Sequence, residues 1–445
     1  MDTSIVLSMI GLLGGLALLI FLTMKGVNIL IGGPISALFV ALMSGMPLFP
    51  QLVEEGVPNF VTNYMTGFTG FILSWYLMFL LGAVFGKVME DSGAADAVAK
   101  WIVGKLGMKF AVLAIVIACA ILTYGGVSLF VVAFSVYPMA ISLFKQADLP
   151  RRFIPATLAL GSVTFTMTSA GSPEIQNWIP MDYLDTTPYA GWEVSLVVAA
   201  IMAVFGYWWL KKLITGAVNK GERFEDRETD PNFDVNRPLP NPFLAMIPLL
   251  VVLGISFYFH DTLKQSALIV ALLGGIIATF IVSYRYFKDA WGAVSAGTLG
   301  AMIAIGNTAA VVGFGGVAKA VPAFGVVVEA MTNIPGSPLI GAAVAISVIA
   351  GMTGSASGGQ LIALPLIAPH YVDLGVNQEA LHRVVAISSG ALDSLPHNGY
   401  VVTTIQSICG EKYSGAYWAV AATTVVTPAI GVAIAIVLFS LGFGI

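Results

Sequence analysis

Charge is scarce in this chain. Lys and Arg number 20 and Asp and Glu 24, so charged residues make up 10% of 445. That is too little to cover a soluble surface of this size. The net charge of −4 is dispersed, which argues against a nucleic-acid partner. Cysteine is rarer still. Cys119 and Cys409 both sit in apolar stretches and read as buried thiols, with no metal-ligand spacing and no redox motif. The phosphate-binding pattern G-x-x-x-x-G-K-[ST] is missing, which argues against ATP-driven transport by this chain alone. The N-terminal MDTSIVLSMIGLL has no basic region ahead of its apolar run, so that run is expected to be retained.

Apolar residues are what the chain has in excess: 58% of it, with a mean hydropathy of +0.90. Long runs carry the signal, not the short alternation of a barrel. The fold class is therefore an all-α polytopic membrane protein. The 48 glycines suit close helix packing and broken helices. Runs of spanning length are expected near 4–24, 27–46, 66–86, 192–210, 243–259, 266–284, 291–312 and 416–440. Four further regions are interrupted: 109–144 and 337–371 by Gly and Ser, 153–180 and 384–408 by Pro and charge.

Basic residues orient these runs. Segments 87–109 and 145–152 are both basic and so both cytoplasmic, and the stretch between them must enter and return on one side. Its glycine-rich tip, TYGGVS at 123–128, favours a re-entrant hairpin. Carried outward, the assignment places every Lys and Arg inside except Lys264, Lys319 and Arg383. Both termini fall outside. Each half then reads as three spans, a hairpin, a broken span and a span, with opposite orientations. The expected domains are a first inverted repeat at 1–212, a cytoplasmic linker at 213–240 and a second inverted repeat at 241–445. Such repeats with paired broken helices are a recurrent plan for secondary transporters, with the site at the repeat interface.

Four segments should meet there. The hairpin tips supply Thr123, Gly125, Gly126 and Ser128, and Thr353, Gly354, Ser355, Ser357 and Gly358. The first broken span, TMTSAGSPEIQN, supplies Ser169, Gly171, Ser172 and Glu174; the second, LDSLPHNGYVVT, supplies Asp393, His397 and Asn398. Breaking a helix in the membrane frees N–H groups and carbonyls that must line an enclosed polar site. Half-helix N-termini suit a carboxylate, and hydroxyls add neutral donors. No basic residue lies inside the four segments, so one carboxylate is favoured over three. Glu174, Asp393 and His397 are the candidates for ion coupling. The plainer readings are packing faces for the Gly/Ser runs, helix caps for Glu174 and Asp393, and a structural pair for His397 with Asp393. Asp182 and Asp185 read as an exterior loop.

At these residues the chain resembles the gluconate permease family of the broader ion-transporter superfamily. GKVMEDSGAADAVAK at 86–100, GSAS at 354–357 with Pro369 beyond it, and HNGY at 397–400 carry the resemblance, which extends over roughly 30–440. The family has a His-Pro-Gly-Pro-like stretch in its first broken helix. This chain has Gly171-Ser172-Pro173-Glu174, which puts gluconate itself in question. The resemblance implies a non-enzymatic, proton-coupled importer of a small organic anion, such as gluconate or 3-hydroxybutyrate, in the bacterial inner membrane. It needs no cofactor beyond the coupling ion. Superfamily resemblance implies a homodimer with a scaffold and a mobile transport domain working as an elevator. The alternatives are a sodium-coupled di- or tricarboxylate (citrate-like) transporter, the membrane subunit of a sodium-pumping decarboxylase, and a sodium–proton antiporter with no organic substrate.

Overall fold

Asparagine and aspartate set where the long helices begin. Asn28, Asn59, Asn241, Asp289 and Asn377 each accept a backbone N–H from two or three residues on, namely Leu30, Thr62, Phe243, Gly292 and Ala380. Each cap satisfies a donor that the first helical turn would leave bare, a contribution of about 1 kcal/mol. The computed structural model describes residues 3–107, 110–227, 237–332 and 334–444. Lys109 and linker residues 228–236 lie outside them.

The first half runs α1 (Thr3–Met24), α2 (Ile29–Met43), α3 (Phe60–Asp91) and α4 (Ala94–Leu106), then the hairpin of α5 (Ala111–Tyr124) and α6 (Leu129–Gln146). A broken span follows: α7 (Ile154–Ala159), a π turn at Leu160–Thr164, an irregular stretch, a 3₁₀ turn at Ile175–Asn177 and α8 (Met181–Leu184). Helix α9 (Trp192–Asn219) closes the half and continues past residue 212. The second half repeats the order: α10 (Pro242–Leu263), α11 (Ser266–Ser283), α12 (Ala290–Lys319), α13 (Pro322–Thr332), and the hairpin of α14 (Pro338–Thr353) and α15 (Ala356–Asp373). Its broken span is α16 (Gln378–Leu392), α17 (Gly399–Val402) and a π turn at Thr403–Ile408. The last span is α18 (Tyr413–Ala421) and α19 (Thr427–Ser440), joined by a π turn.

Seven helices among the described residues are long and apolar enough to cross a membrane. The expected span at 27–46 is shorter: α2 has 15 residues, starts at the Asn28 cap and carries Pro34. Hairpin arm α5 has 14 residues, about 21 Å at 1.5 Å per residue, too short for a hydrocarbon core of about 30 Å. That length suits a hairpin that turns back.

Helices α3 and α12 pack along each other through glycines. A Cβ at Gly67 would lie 2.6 Å from the Val312 carbonyl oxygen, and one at Gly316 would lie 2.4 Å from that of Asn63. The Tyr64 hydroxyl donates to Ala310 O at 3.1 Å across the same seam. This pair, with α1, α2, α10 and α11, forms one body. The hairpins, the broken spans, α9 and α19 form the other. The short amphipathic helices exchange partners: α4 packs on α10 of the opposite half, and α13 on α1. At one end of the second body, Arg151 and Glu411 form a buried ion pair at 2.8 Å. Arg227 reaches the other Glu411 oxygen at 3.0 Å, and Arg152 pairs with Glu222 at 2.6 Å. The start of the linker is thus tied to both broken spans.

Candidate functional site

The turn of each hairpin ends against the break of a helix, and a cavity of about 580 Å³ opens there between the two bodies. In the first hairpin Gly126 has φ +91°, a conformation costly for any residue with a Cβ. The return helix α6 starts at Ser128, whose hydroxyl makes no capping bond and lines the cavity. In the second hairpin Gly354 has φ +59°, and Ser355 caps α15 by accepting from Gly358 N at 3.2 Å. Ser355 and Ser357, with hydroxyls 3.3 Å apart, both line the cavity. The N-terminal ends of α6 and α15 therefore face one space from opposite repeats. Their exposed N–H groups and partial positive charge favour an anion.

The breaks supply the rest. Pro173, Glu174 and Gln176 line the cavity from the first, and Asp393, Ser394, Asn398, Thr403, Gln406 and Ser407 from the second. Ser394 Oγ donates to Asp393 Oδ1 at 2.9 Å. Asn398 accepts from Val401 N at 2.9 Å, capping α17, and donates to Gly354 O at 3.0 Å. One side chain thereby joins the second break to the second hairpin. Gln360 does the same across repeats: its Nε2 donates to Gln176 O at 3.1 Å and to Ser389 Oγ at 3.0 Å.

Of the residues singled out from the sequence, Gly126, Ser128, Glu174, Gly354, Ser355, Ser357, Asp393 and Asn398 come together on the cavity wall. The others stand behind it. Gly125 packs toward Leu249, and Gly358 supplies the N–H that Ser355 caps. Thr123 is buried, and Thr353 Oγ1 donates to Ile349 O at 3.0 Å. Ser169 Oγ donates to Phe165 O at 2.8 Å. Gly171, at φ +77°, abuts the Tyr189 ring, and the Ser172 carbonyl accepts from Trp178 Nε1 at 3.3 Å. His397 does not line the cavity either. Its ring packs on the Gly354 turn, beside the carbonyls of Gly351 and Met352. The histidine is turned toward the hairpin, while Asp393 lines the cavity.

The first body adds polar groups that the sequence reading passed over: Thr23 and Asn28 at the α1–α2 turn, and Asn307 and Thr308 on α12. A lone Asn or Thr in an apolar run carries no pattern that marks it. Arg383, counted from the sequence among the basic residues outside, lies on α16, fully buried, and donates to Thr168, Asn177, Pro188 and Ala190. A charge count by sequence position does not show that backbone carbonyls can hold an arginine buried.

Comparison with known proteins agrees with this architecture. The chain matches the model of the GntP family permease over residues 6–441. It is 35% identical to the uncharacterised transporter YxjC of Bacillus subtilis, covering 95% of this chain and 97% of that one. Over a shorter stretch of 158 residues it is 28% identical to the high-affinity gluconate transporter of Escherichia coli, covering 35% of this chain and 33% of that one. It is likewise 34% identical to the gluconate permease of Bacillus licheniformis, covering 34% and 32%. The crystal structure of the Alcanivorax borkumensis YdaH transporter has the same fold, with a TM-score of 0.58 at 14% identity over 95% of this chain and 99% of that one. The chain is a multi-pass membrane transporter and belongs to the GntP permease family.

Proposed function

We propose that this permease imports a small hydroxy-monocarboxylate, of the gluconate or 3-hydroxybutyrate class, together with protons. The observation that carries the reading is the meeting of the α6 and α15 N-terminal ends, with Ser128, Ser355 and Ser357, in a cavity also lined by Glu174 and Asp393. The described wall contains no Lys or Arg. Two helix ends and a few hydroxyls match one carboxylate and a hydroxylated chain. They do not match the three charges of citrate. Substrate and cavity carboxylates would repel each other. A proton bound at Asp393 or Glu174 removes that repulsion, which couples the two ligands.

The two halves, 1–212 and 241–445, are read as inverted repeats joined by the linker 213–240. The matched order and lengths of their elements support this. In the orientation set by the basic residues, the cavity extends toward the cytoplasmic α1–α2 turn. On the opposite face Gln265 Nε2 meets Asp182 Oδ2 at 2.5 Å, and Lys264 meets Asp185 at 3.5 Å, contacts between the two bodies that we read as the closed side. In that orientation the arrangement reads as inward-facing, and sliding the second body along the first in an elevator motion would open the other side. A homodimer formed through the first body belongs to the same reading. Titrating the purified chain with gluconate, 3-hydroxybutyrate and citrate, and following thermal stability, tests the substrate class. Stabilisation by either monocarboxylate and not by citrate is expected. Stabilisation by citrate alone would overturn it.

A further inference from the structure

Arg383 makes four hydrogen bonds, all to neutral acceptors. Nε donates to Ala190 O at 2.9 Å and Nη2 to Pro188 O at 3.1 Å. Nη1 donates to Thr168 O and to Asn177 Oδ1, both at 2.7 Å. All four acceptors belong to the first broken span or the loop after it, whereas Arg383 is on the second. Among the described residues no carboxylate lies within ion-pair distance. Glu379, one turn earlier on α16, uses its Oε2 to accept from Gly191 N at 3.3 Å. Thr168 and Asn177 are the sequence neighbours of Met167 and Gln176, which line the cavity.

Arg151 offers a contrast. It stands at the head of the first broken span and also reaches across to the other half, but there it meets the Glu411 carboxylate. The fold can set a carboxylate against a buried arginine. At Arg383 it sets carbonyls and one amide. Glu379 acts on Arg383 through space and not by contact, and a buried cation with no carboxylate in contact is costly unless a further anion shares its surroundings. A carboxylate in the cavity would be such an anion.

We propose that Arg383 is a positioning residue of the anion site. It holds the 167–177 wall in shape through Thr168 and Asn177, and it presents positive charge one residue behind that wall. The inference rests on the anion-transport reading above, and it accounts for anion preference in a cavity without a basic lining residue.

The discriminating variant is Asn177→Asp. It keeps an acceptor against the guanidinium while cancelling its charge. Asn177→Leu is the control: it loses the Nδ2 bond to Met167 O, as Asn177→Asp does, and also the Arg383 contact, without adding charge. The measurement is KM and Vmax for labelled gluconate with the full chain in proteoliposomes, alongside the thermal midpoint. Asn177→Asp is expected to raise KM at least tenfold, with Vmax within twofold and an undiminished midpoint. Asn177→Leu should raise KM severalfold less. Equal KM shifts in the two variants, or no shift in Asn177→Asp, would overturn the proposal. If Asn177→Asp does not fold, Arg383→Lys and Arg383→Gln decide: KM nearer wild type in the lysine variant supports it, and equal KM in both overturns it. A wild-type protein that takes up neither labelled gluconate nor labelled 3-hydroxybutyrate would instead sink the transport reading, and this role with it; if only the latter is taken up, the same variants are compared with it.

Discussion

Asp393 and Ser357 differ in what their loss should do. Ser357 offers a hydroxyl to the cavity without capping a helix, so Ser357→Ala tests binding with little effect on folding. A hydrogen bond to a charged group contributes about 1.5–3 kcal/mol, so KM should rise roughly ten- to hundredfold at unchanged Vmax. Asp393→Asn keeps the shape of the side chain but cannot exchange a proton. It should abolish accumulation against a gradient while downhill exchange of labelled for unlabelled substrate continues. His397→Ala, behind the Gly354 turn, should lower the thermal midpoint and leave accumulation measurable in the protein that folds. At this scale the sequence was legible wherever a polar residue interrupts an apolar run, as at Ser128, Ser355, Asp393 and Asn398. It was silent where the answer depends on which carbonyls surround a side chain. Arg383 is the clearest case, and His397 is another, because a break shows that residues turn but not which way.

Among the elements, the hairpins were readable from glycine at their tips and the broken spans from proline and charge. The π turns at 160–164, 403–408 and 422–426 were not, since one extra residue in a helical turn leaves no periodic trace and is settled by packing. The exchange of α4 and α13 between halves was equally hidden, because an amphipathic pattern names a buried face and not its partner. The charged cluster beyond the site gives two tests. Glu411→Gln removes one side of a buried pair and should lower stability by about 3–5 kcal/mol, read as a fall in thermal midpoint. The hydrogen bond from Arg152 holds the Glu222 carboxyl below the usual glutamate range. Its tie is therefore present above the unfolded pKa and lost as pH falls through the folded one. The pair is about two-fifths exposed, so the effect is local. Proteolysis at the start of the linker should rise on acidification below about pH 4, the ordinary range of the group, and should start higher and rise less steeply in Glu222→Gln, where only the Glu411, Asp148 and Asp226 ties remain to titrate.

For the whole molecule, composition and charge asymmetry were enough to expect a helical transporter of two similar halves. What they could not reveal is the cavity between the two bodies, because runs and charges name the helices and not how the bodies pack. In the proposed elevator motion, the α3–α12 seam belongs to the body that stays fixed. Gly67→Val, which drives a side chain into the Val312 carbonyl, should reduce the yield of folded protein and not alter substrate preference in what folds. The central claim is coupled anion import. Its most direct measurement is uptake of labelled gluconate by the full chain in proteoliposomes, under a pH gradient without sodium and under a sodium gradient at equal pH. The account predicts accumulation driven by the pH gradient, abolished by a protonophore and indifferent to sodium. Accumulation driven by sodium alone and untouched by the protonophore would contradict it.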